Sequence, residues 1–346
     1  MIEDLADRLF AEIAISGAPG WPPGGAGASE SWGRLAELGL PLALVPEEAG
    51  GPGLDLVEAL ELVRAAGRHA LALPLAETML ANHILAEAGL PVAPGAATIL
   101  CGGPQDQVSL RRAGSGWTLA GRAFRVPWAS VAETLVVVAP GEAGPCVARL
   151  EAGAFTVEPG RNLAGEPRDA VLFDTELRAE QVRPAGRAGG PDVVRRRGAA
   201  LRSLALAGAL ERVLALTVAY AGERSQFGKP IGRFQAVQQS LAEMAGHVAA
   251  GAAAAGGAAE AFAGADLLPI AAAKVRTGEA AGRAAAIAHQ VHGAIGFTQE
   301  HILHRFTGRL WSWRDEFGDE AEWSLALGTQ AVEAGPDGLW PLVTAA

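Results

Sequence analysis

The sequence predicts an α+β chain in three parts: an N-terminal helical domain over residues 1–95, a middle β-domain over 96–180, and a C-terminal four-helix bundle over 190–335. Three observations carry this. Apolar residues recur at three- and four-residue spacing up to about Pro91 and again after about Pro191. Between those limits the period changes to short β-branched or aromatic runs cut by Gly, Pro and charged turns.

In the first part, Leu56, Leu60, Val63 and Ala66 mark one face of a helix, and loops are expected at 17–28, rich in Gly and Pro, and at 46–53. In the second, the runs at 98–101, 117–119, 134–138, 146–148, 155–157 and 171–173 read as strands. In the third, Leu206, Leu210, Val213, Thr217 and Tyr220 form one buried stripe. Residues 249–264 are so rich in Ala and Gly that two helices could pack closely there, and Asp266 with Pro269 signals a break and a new helix start. Four long helices with short connections make a bundle.

Composition narrows the function. A formal net charge of -10 weighs against nucleic acid as a partner. Cys101 and Cys146 have no spacing that suggests a disulfide framework or a metal site, so a reducing, cytoplasmic compartment is expected. The acidic start, Met1 to Asp4, has no basic region of the kind that opens a secretory leader. The Ala- and Gly-rich run 248–259 is too short and too weakly apolar to span a bilayer.

Two blocks carry chemistry. The first, 223–235, sets Arg224 just before Gly228 and Pro230, which stop a helix, and Gln235 at the start of the next. A guanidinium that grips two phosphate oxygens, an aromatic at Phe227 and an amide at a positive helix start suit an anion attached to a heteroaromatic ring. A solvated surface arginine is the plain alternative. The second block, 290–301, again places an amide, Gln290, before glycines that let backbone approach a ligand.

Together the blocks resemble the acyl-CoA dehydrogenase family, whose C-terminal domain carries Arg-x-x-Phe-Gly-x-x-Ile with a following Gln, then Gln-x-x-Gly-Gly-x-Gly-Phe. Here they read Arg224, Phe227, Gly228, Ile231 and Gln235, then Gln290, Gly293, Ala294, Gly296 and Phe297. A third match is Trp32, Leu35, Gly39, Leu40, Val45, Pro46, Glu47, Glu48, Gly50, Gly51 and Gly53 near the N-terminus. The resemblance implies α,β-desaturation of an acyl-CoA thioester with FAD as cofactor. A carboxylate takes the α-proton while the β-hydrogen leaves as hydride to the flavin. It also implies an electron-transfer flavoprotein as acceptor and oligomer formation through the bundle. FAD contacts are implied at Arg224, Phe227, Gln235, Gln290, His292, Gly293 and Ala294, on a flavin bound mainly by the neighbouring subunit.

The catalytic base departs from the family pattern. Ungapped counting from Gln290 puts Phe317 in the slot of the usual Glu, with acids beside it at Asp315, Glu316, Asp319 and Glu320. Glu316, one position away, is the candidate base. The same acids would also suit a helix N-terminus. A minority of the family carries the base on the first bundle helix, where this chain has Gly198. The middle domain departs too, with 124–129 reading Phe-Arg-Val-Pro-Trp-Ala where the family covers the flavin ring. Trp128 is expected to pack as core. A chain with adenine-side contacts but no ring-side ones resembles one half of a heteromeric acyl-CoA dehydrogenase, including those acting on steroid side-chain CoA thioesters. Its partner would be a second copy or a related chain. A non-catalytic subunit that completes a partner's FAD site is the competing expectation.

Overall fold

The computed structural model describes residues 2–16 and 26–344; most of the first expected loop lies outside the described residues. The leading helices are α1 (Ile2–Ser16), α2 (Ala26–Glu37), α3 (Leu56–Arg68) and α4 (Leu75–Glu87). Then come strands β1 (Ala97–Leu100), β2 (Gln107–Ala113), β3 (Gly116–Pro127), β4 (Thr134–Gly141), β5 (Gly144–Glu151), β6 (Thr156–Glu158), β7 (Arg168–Leu177) and β8 (Val182–Pro184). Helix returns with α5 (Pro191–Glu223), followed by a hairpin of β9 (Ser225–Gln226) and β10 (Lys229–Pro230). The chain ends with α6 (Gln235–Glu260), α7 (Leu267–His292), α8 (Leu303–Trp313) and α9 (Glu320–Thr344). These elements divide into two compact units, one of Met1–Ala11, Val63–Leu71 and Gly198–Ala346, the other of Glu12–Leu62 and Ala72–Arg197.

In the second unit two four-stranded sheets, β1-β4-β5-β8 and β2-β3-β7-β6, enclose a shared core of Leu119, Val126, Leu135, Val137, Leu150 and Phe173. The run at β4 is buried on both faces because α4 covers the side of its sheet away from that core. Thr78 on α4 ties the two layers together: its hydroxyl donates to the Ala97 carbonyl and accepts from the Ala97 amide. Each of the six expected runs falls on a strand. Two further strands, β2 and β8, lie at sheet edges, where exposed Arg111 and Arg112 or a terminal Pro184 erase the apolar signal. Trp128 is buried, as expected of core.

The first unit is helical. In α5, Leu206, Leu210, Val213 and Thr217 are fully buried and Tyr220 half-buried, as the spacing requires. This helix is also long and apolar enough to match a membrane span, but the stripe faces protein core. Asp266 precedes α7 and Pro269 sits in its first turn, the expected break. Gly251 faces Ala280, Leu210 and Thr277 at ordinary van der Waals distance, while Gly256 and Gly257 face open space. Among the described residues of this unit, the tightest backbone approach lies elsewhere, between α5 and the end of α3. A Cβ on Gly208 would stand 1.9 Å from the Arg64 carbonyl oxygen, and one on Gly67 2.1 Å from that of Ala205. Beside this contact Glu211 accepts from both Arg64 and Arg68. Gly208→Ala is expected to destabilise the chain by about 1–3 kcal/mol through overpacking, despite Ala's helix preference of roughly 1 kcal/mol. Urea unfolding measures this, and a gain in stability would mean that the two helices separate freely.

Candidate functional site

The first motif builds a tight hairpin. The Arg224 amide closes α5 by donating to the Tyr220 carbonyl at 2.9 Å, and Ile231 donates back to the Arg224 carbonyl at 2.8 Å. Between them Phe227 (φ 51) and Gly228 (φ 78) both take left-handed backbone, the demand of a two-residue hairpin turn. Gly228 adopts it freely; Phe227 does so at a cost of about 1–2 kcal/mol. The residue is 91% exposed, and its ring meets the Phe234 ring edge-on at 6.2 Å. Lys229 Nζ lies 4.4 Å from the Phe234 ring centre. Gln235 opens α6, and Phe234 before it gives no side-chain cap to the first amides of the helix. Arg224, Phe227 and Gln235 are all exposed.

The second motif ends α7. Gly293 (φ 64) turns the chain, and Gln290, Gly293 and Ala294 are exposed. His292 points inward and is buried: Nδ1 donates to the Ala288 carbonyl at 2.7 Å, and the ring stacks on Tyr220 at 4.4 Å. Burial pushes its pKa below the ordinary histidine value. Tyr220 also donates its hydroxyl to the His292 carbonyl at 3.3 Å and meets His301 edge-on. Tyr220 thus joins the segment before Arg224 to the segment before Gly293. His301 Nδ1 accepts from the Leu303 amide and His304 Nδ1 donates to the His301 carbonyl, so this pair caps the start of α8. His289 lies between the Phe297 and Trp311 rings.

The candidate base sits at the other end of α5. Glu316 lies in the turn between α8 and α9, largely buried, and its Oε2 accepts from Arg202 Nε at 2.5 Å. Arg202 is 5.8 Å from the ring centres of both Trp313 and Phe317. Phe317 (φ 57) lays its ring against α5 where Gly198 leaves room: a Cβ there would meet the ring at 2.3 Å. Trp323 Nε1 donates to the Phe317 carbonyl at 3.1 Å. Lys274 of α7, fully buried, donates from Nζ to the carbonyls of Arg314 at 2.5 Å and Gly318 at 2.8 Å. Burial pulls its pKa down to about 8, against the opposing pull of Glu320, Glu316 and Asp315. Arg202 and Tyr220 lie five helical turns apart on α5, about 27 Å.

Comparison with known proteins places this geometry. The N-terminal domain model of acyl-CoA dehydrogenases matches residues 1–91, and the C-terminal domain model matches 196–311. The acyl-CoA dehydrogenase IpdE2 of Mycobacterium tuberculosis is 30% identical over 82% of this chain and 81% of its own. The chain belongs to the acyl-CoA dehydrogenase family. The acyl-CoA dehydrogenase FadE27 of the same organism is also 30% identical, over 62% of this chain, and the match spans only 61% of FadE27. Among solved structures, a chain of the ChsE4-ChsE5 complex of M. tuberculosis superposes with a TM-score of 0.85, covering 96% of each chain at 24% identity.

For an acyl-CoA dehydrogenase, the two positions that the resemblance assigns to a base, Phe317 and Gly198, turn out to touch each other. In the slot that counting along the chain assigns to the base, this chain carries a ring and not a carboxylate. Sequence reasoning missed Arg202 and Lys274, which hold the neighbouring acid and its turn. Nor does the run of arginines at 195–197 show which of them is buried: Arg197 is, and it donates to Glu87 at 2.5 Å. Lys274 gives a linkage test. Unfolded, its amine holds a proton up to about pH 10.5; folded, it gives that proton up near 8. The unfolded state therefore binds more protons in that window, and stability rises with pH by at most about 3 kcal/mol. Burial holds the Cys101 pKa at about 12, and its contribution falls with pH in the alkaline range. The difference between wild type and Lys274→Met, from urea unfolding at several pH values, isolates the lysine. A constant difference from pH 7 to 10.5 would mean that Lys274 titrates normally.

Proposed function

We propose that this chain acts in the α,β-dehydrogenation of an acyl-CoA thioester, as one subunit of an oligomer that shares a flavin adenine dinucleotide between chains. The residues present suit that cofactor. Arg224 and the uncapped start of α6 offer positive charge to a pyrophosphate, Gln235 and Gln290 offer amides to a ring edge, and exposed Phe227 offers an aromatic face. Gly293 and Ala294 present backbone, and buried His292 sets that turn through its stacking on Tyr220. Bound FAD would supply the acceptor for the hydride that leaves the β-carbon, the α-proton going to a carboxylate. The carrying observation is the span of about 27 Å between Tyr220 and Arg202 on one helix. An adenine-side clamp and a base so far apart do not touch one flavin ring, so each serves a different end of the site or a different site. The acceptor beyond the flavin is an electron-transfer flavoprotein, and the setting is the reducing cytoplasm.

In the first reading Glu316 takes the α-proton. Arg202 then holds the carboxylate in place, and the substrate must compete with that guanidinium for it. A second reading, a subunit that completes a partner's site without catalysing, is favoured by the Phe317 ring over Gly198 and by the pairing of Glu316 with Arg202. Breaking a buried pair costs about 3–5 kcal/mol, which a base would have to recover on each turnover.

Visible spectra of the chain purified alone, and after co-expression with a related chain, separate the readings. Flavin-loaded protein from this chain alone, bleached by an acyl-CoA, establishes a self-sufficient enzyme; flavin retained only with the partner establishes a composite site. Arg224→Ala is expected to reduce flavin retention by roughly ten- to a hundredfold, the loss of a charge-assisted contact. Full retention would remove the cofactor assignment. Glu316→Gln is expected to abolish turnover of the assembled enzyme in the first reading and to leave it intact in the second.

A further inference from the structure

Lys274 is one of two lysines in the chain and has no part in the reading above. It reaches from the third turn of α7 into a place with no solvent contact and inserts its amine between the two ends of the α8–α9 turn, at the Arg314 and Gly318 carbonyls. Those carbonyls bracket Glu316 and Phe317. Between them Phe317 and Gly318 (φ 102) both take left-handed backbone, at a cost for Phe317, beside local bonds from the Asp315 amide to Ser312 and the Glu316 amide to Trp313. Other helices supply further restraints, Trp323 of α9 at the Phe317 carbonyl and Arg202 of α5 at the Glu316 carboxylate. We propose that Lys274 is the positioning residue of this turn, its ammonium charge fixing where Glu316 and Phe317 stand against α5.

The charged groups around it are consistent with this. Glu320, Glu316 and Asp315 favour the ammonium form, while burial and Arg202 oppose it. Arg314 faces the same cluster and donates from Nε to Glu320 Oε1 at 2.8 Å. The balance leaves the amine half-charged near pH 8. A neutral amine still has two N–H groups for two carbonyls, but bonds from a charged donor are about twice as strong. The turn therefore loosens as Lys274 loses its proton, while the fold as a whole, relieved of a buried charge, does not.

Hydrogen exchange of the full chain, in whatever assembly it forms with its flavin, reads the turn directly. In Lys274→Met at pH 7, amides of 314–320 are expected to lose protection by roughly ten- to a hundredfold, with α5 and α7 unchanged. Lys274→Arg, which keeps a charged two-pronged donor, is expected to restore part of it. Unchanged protection of 314–320 in Lys274→Met overturns the proposal. Should that variant fail to fold, wild-type protection of the same peptide, corrected for intrinsic exchange, is expected to fall between pH 7 and 9.5; a flat profile overturns it. The activity measurement rests on Glu316 being the base. If it is, Lys274→Met lowers kcat with KM little changed. Protection lost with kcat intact would keep Lys274 as the positioning residue and remove Glu316 as the base.

Discussion

The spacing of everything functional in the first unit depends on one unbroken helix. From Gly198 to Glu223, α5 carries the Phe317 contact, the Arg202 pair, the Glu211 pair with α3, and Tyr220. Its rise of about 1.5 Å per residue fixes the distance between the two candidate sites as rigidly as any fold does. The helix has that rigidity because it is held along its length. Gly208 draws α3 into backbone contact, Leu204, Leu206, Leu210 and Val213 are fully buried, and Thr217 is buried one turn before Tyr220.

The two ends of that rod differ in chemistry. At the Tyr220 end the groups that matter are exposed: a guanidinium, two amides, an aromatic ring and a helix start without a side-chain cap, supported by the stack of half-buried Tyr220 on buried His292. This is the usual division between a contact surface and its buried support. At the Arg202 end the charges are paired with one another, Arg202 with Glu316 largely buried and Arg314 with Glu320 half-buried. Buried ion pairs contribute little to net stability, so their persistence here indicates that the turn they fix has a defined shape to keep.

The sequence made most of this legible where a signal is local. Strand runs of β-branched residues, the Asp266 and Pro269 helix start, and the Arg224 and Gln290 blocks each lie within a few consecutive residues. Residue type was enough to assign Trp128 to the core. What it concealed depends on contacts between distant segments. Lys274 looks like one more polar residue on an Ala-rich helix until the turn forty residues later is folded onto it. Arg197, one of three adjacent arginines, was legible as charge but not as the member that pairs with Glu87. Edge strands β2 and β8 escaped because an edge tolerates arginine and proline, which a pattern of alternating apolar residues excludes. The relation between Gly198 and Phe317 was hidden for the same reason: a missing side chain signals nothing until its neighbour is known.

The scarcity of lysine has a practical consequence. With Lys274 sealed inside the bundle, the exposed lysine side chain is Lys229, one residue beyond Gly228 in the Arg224 hairpin. Amine-reactive dyes and cross-linkers, which on most proteins label dozens of places at random, will find on this chain a side-chain target beside the candidate dinucleotide contact. An ordinary labelling reagent thus becomes a site-directed reporter, whose reaction rate or emission can register occupation of that hairpin without any engineered cysteine.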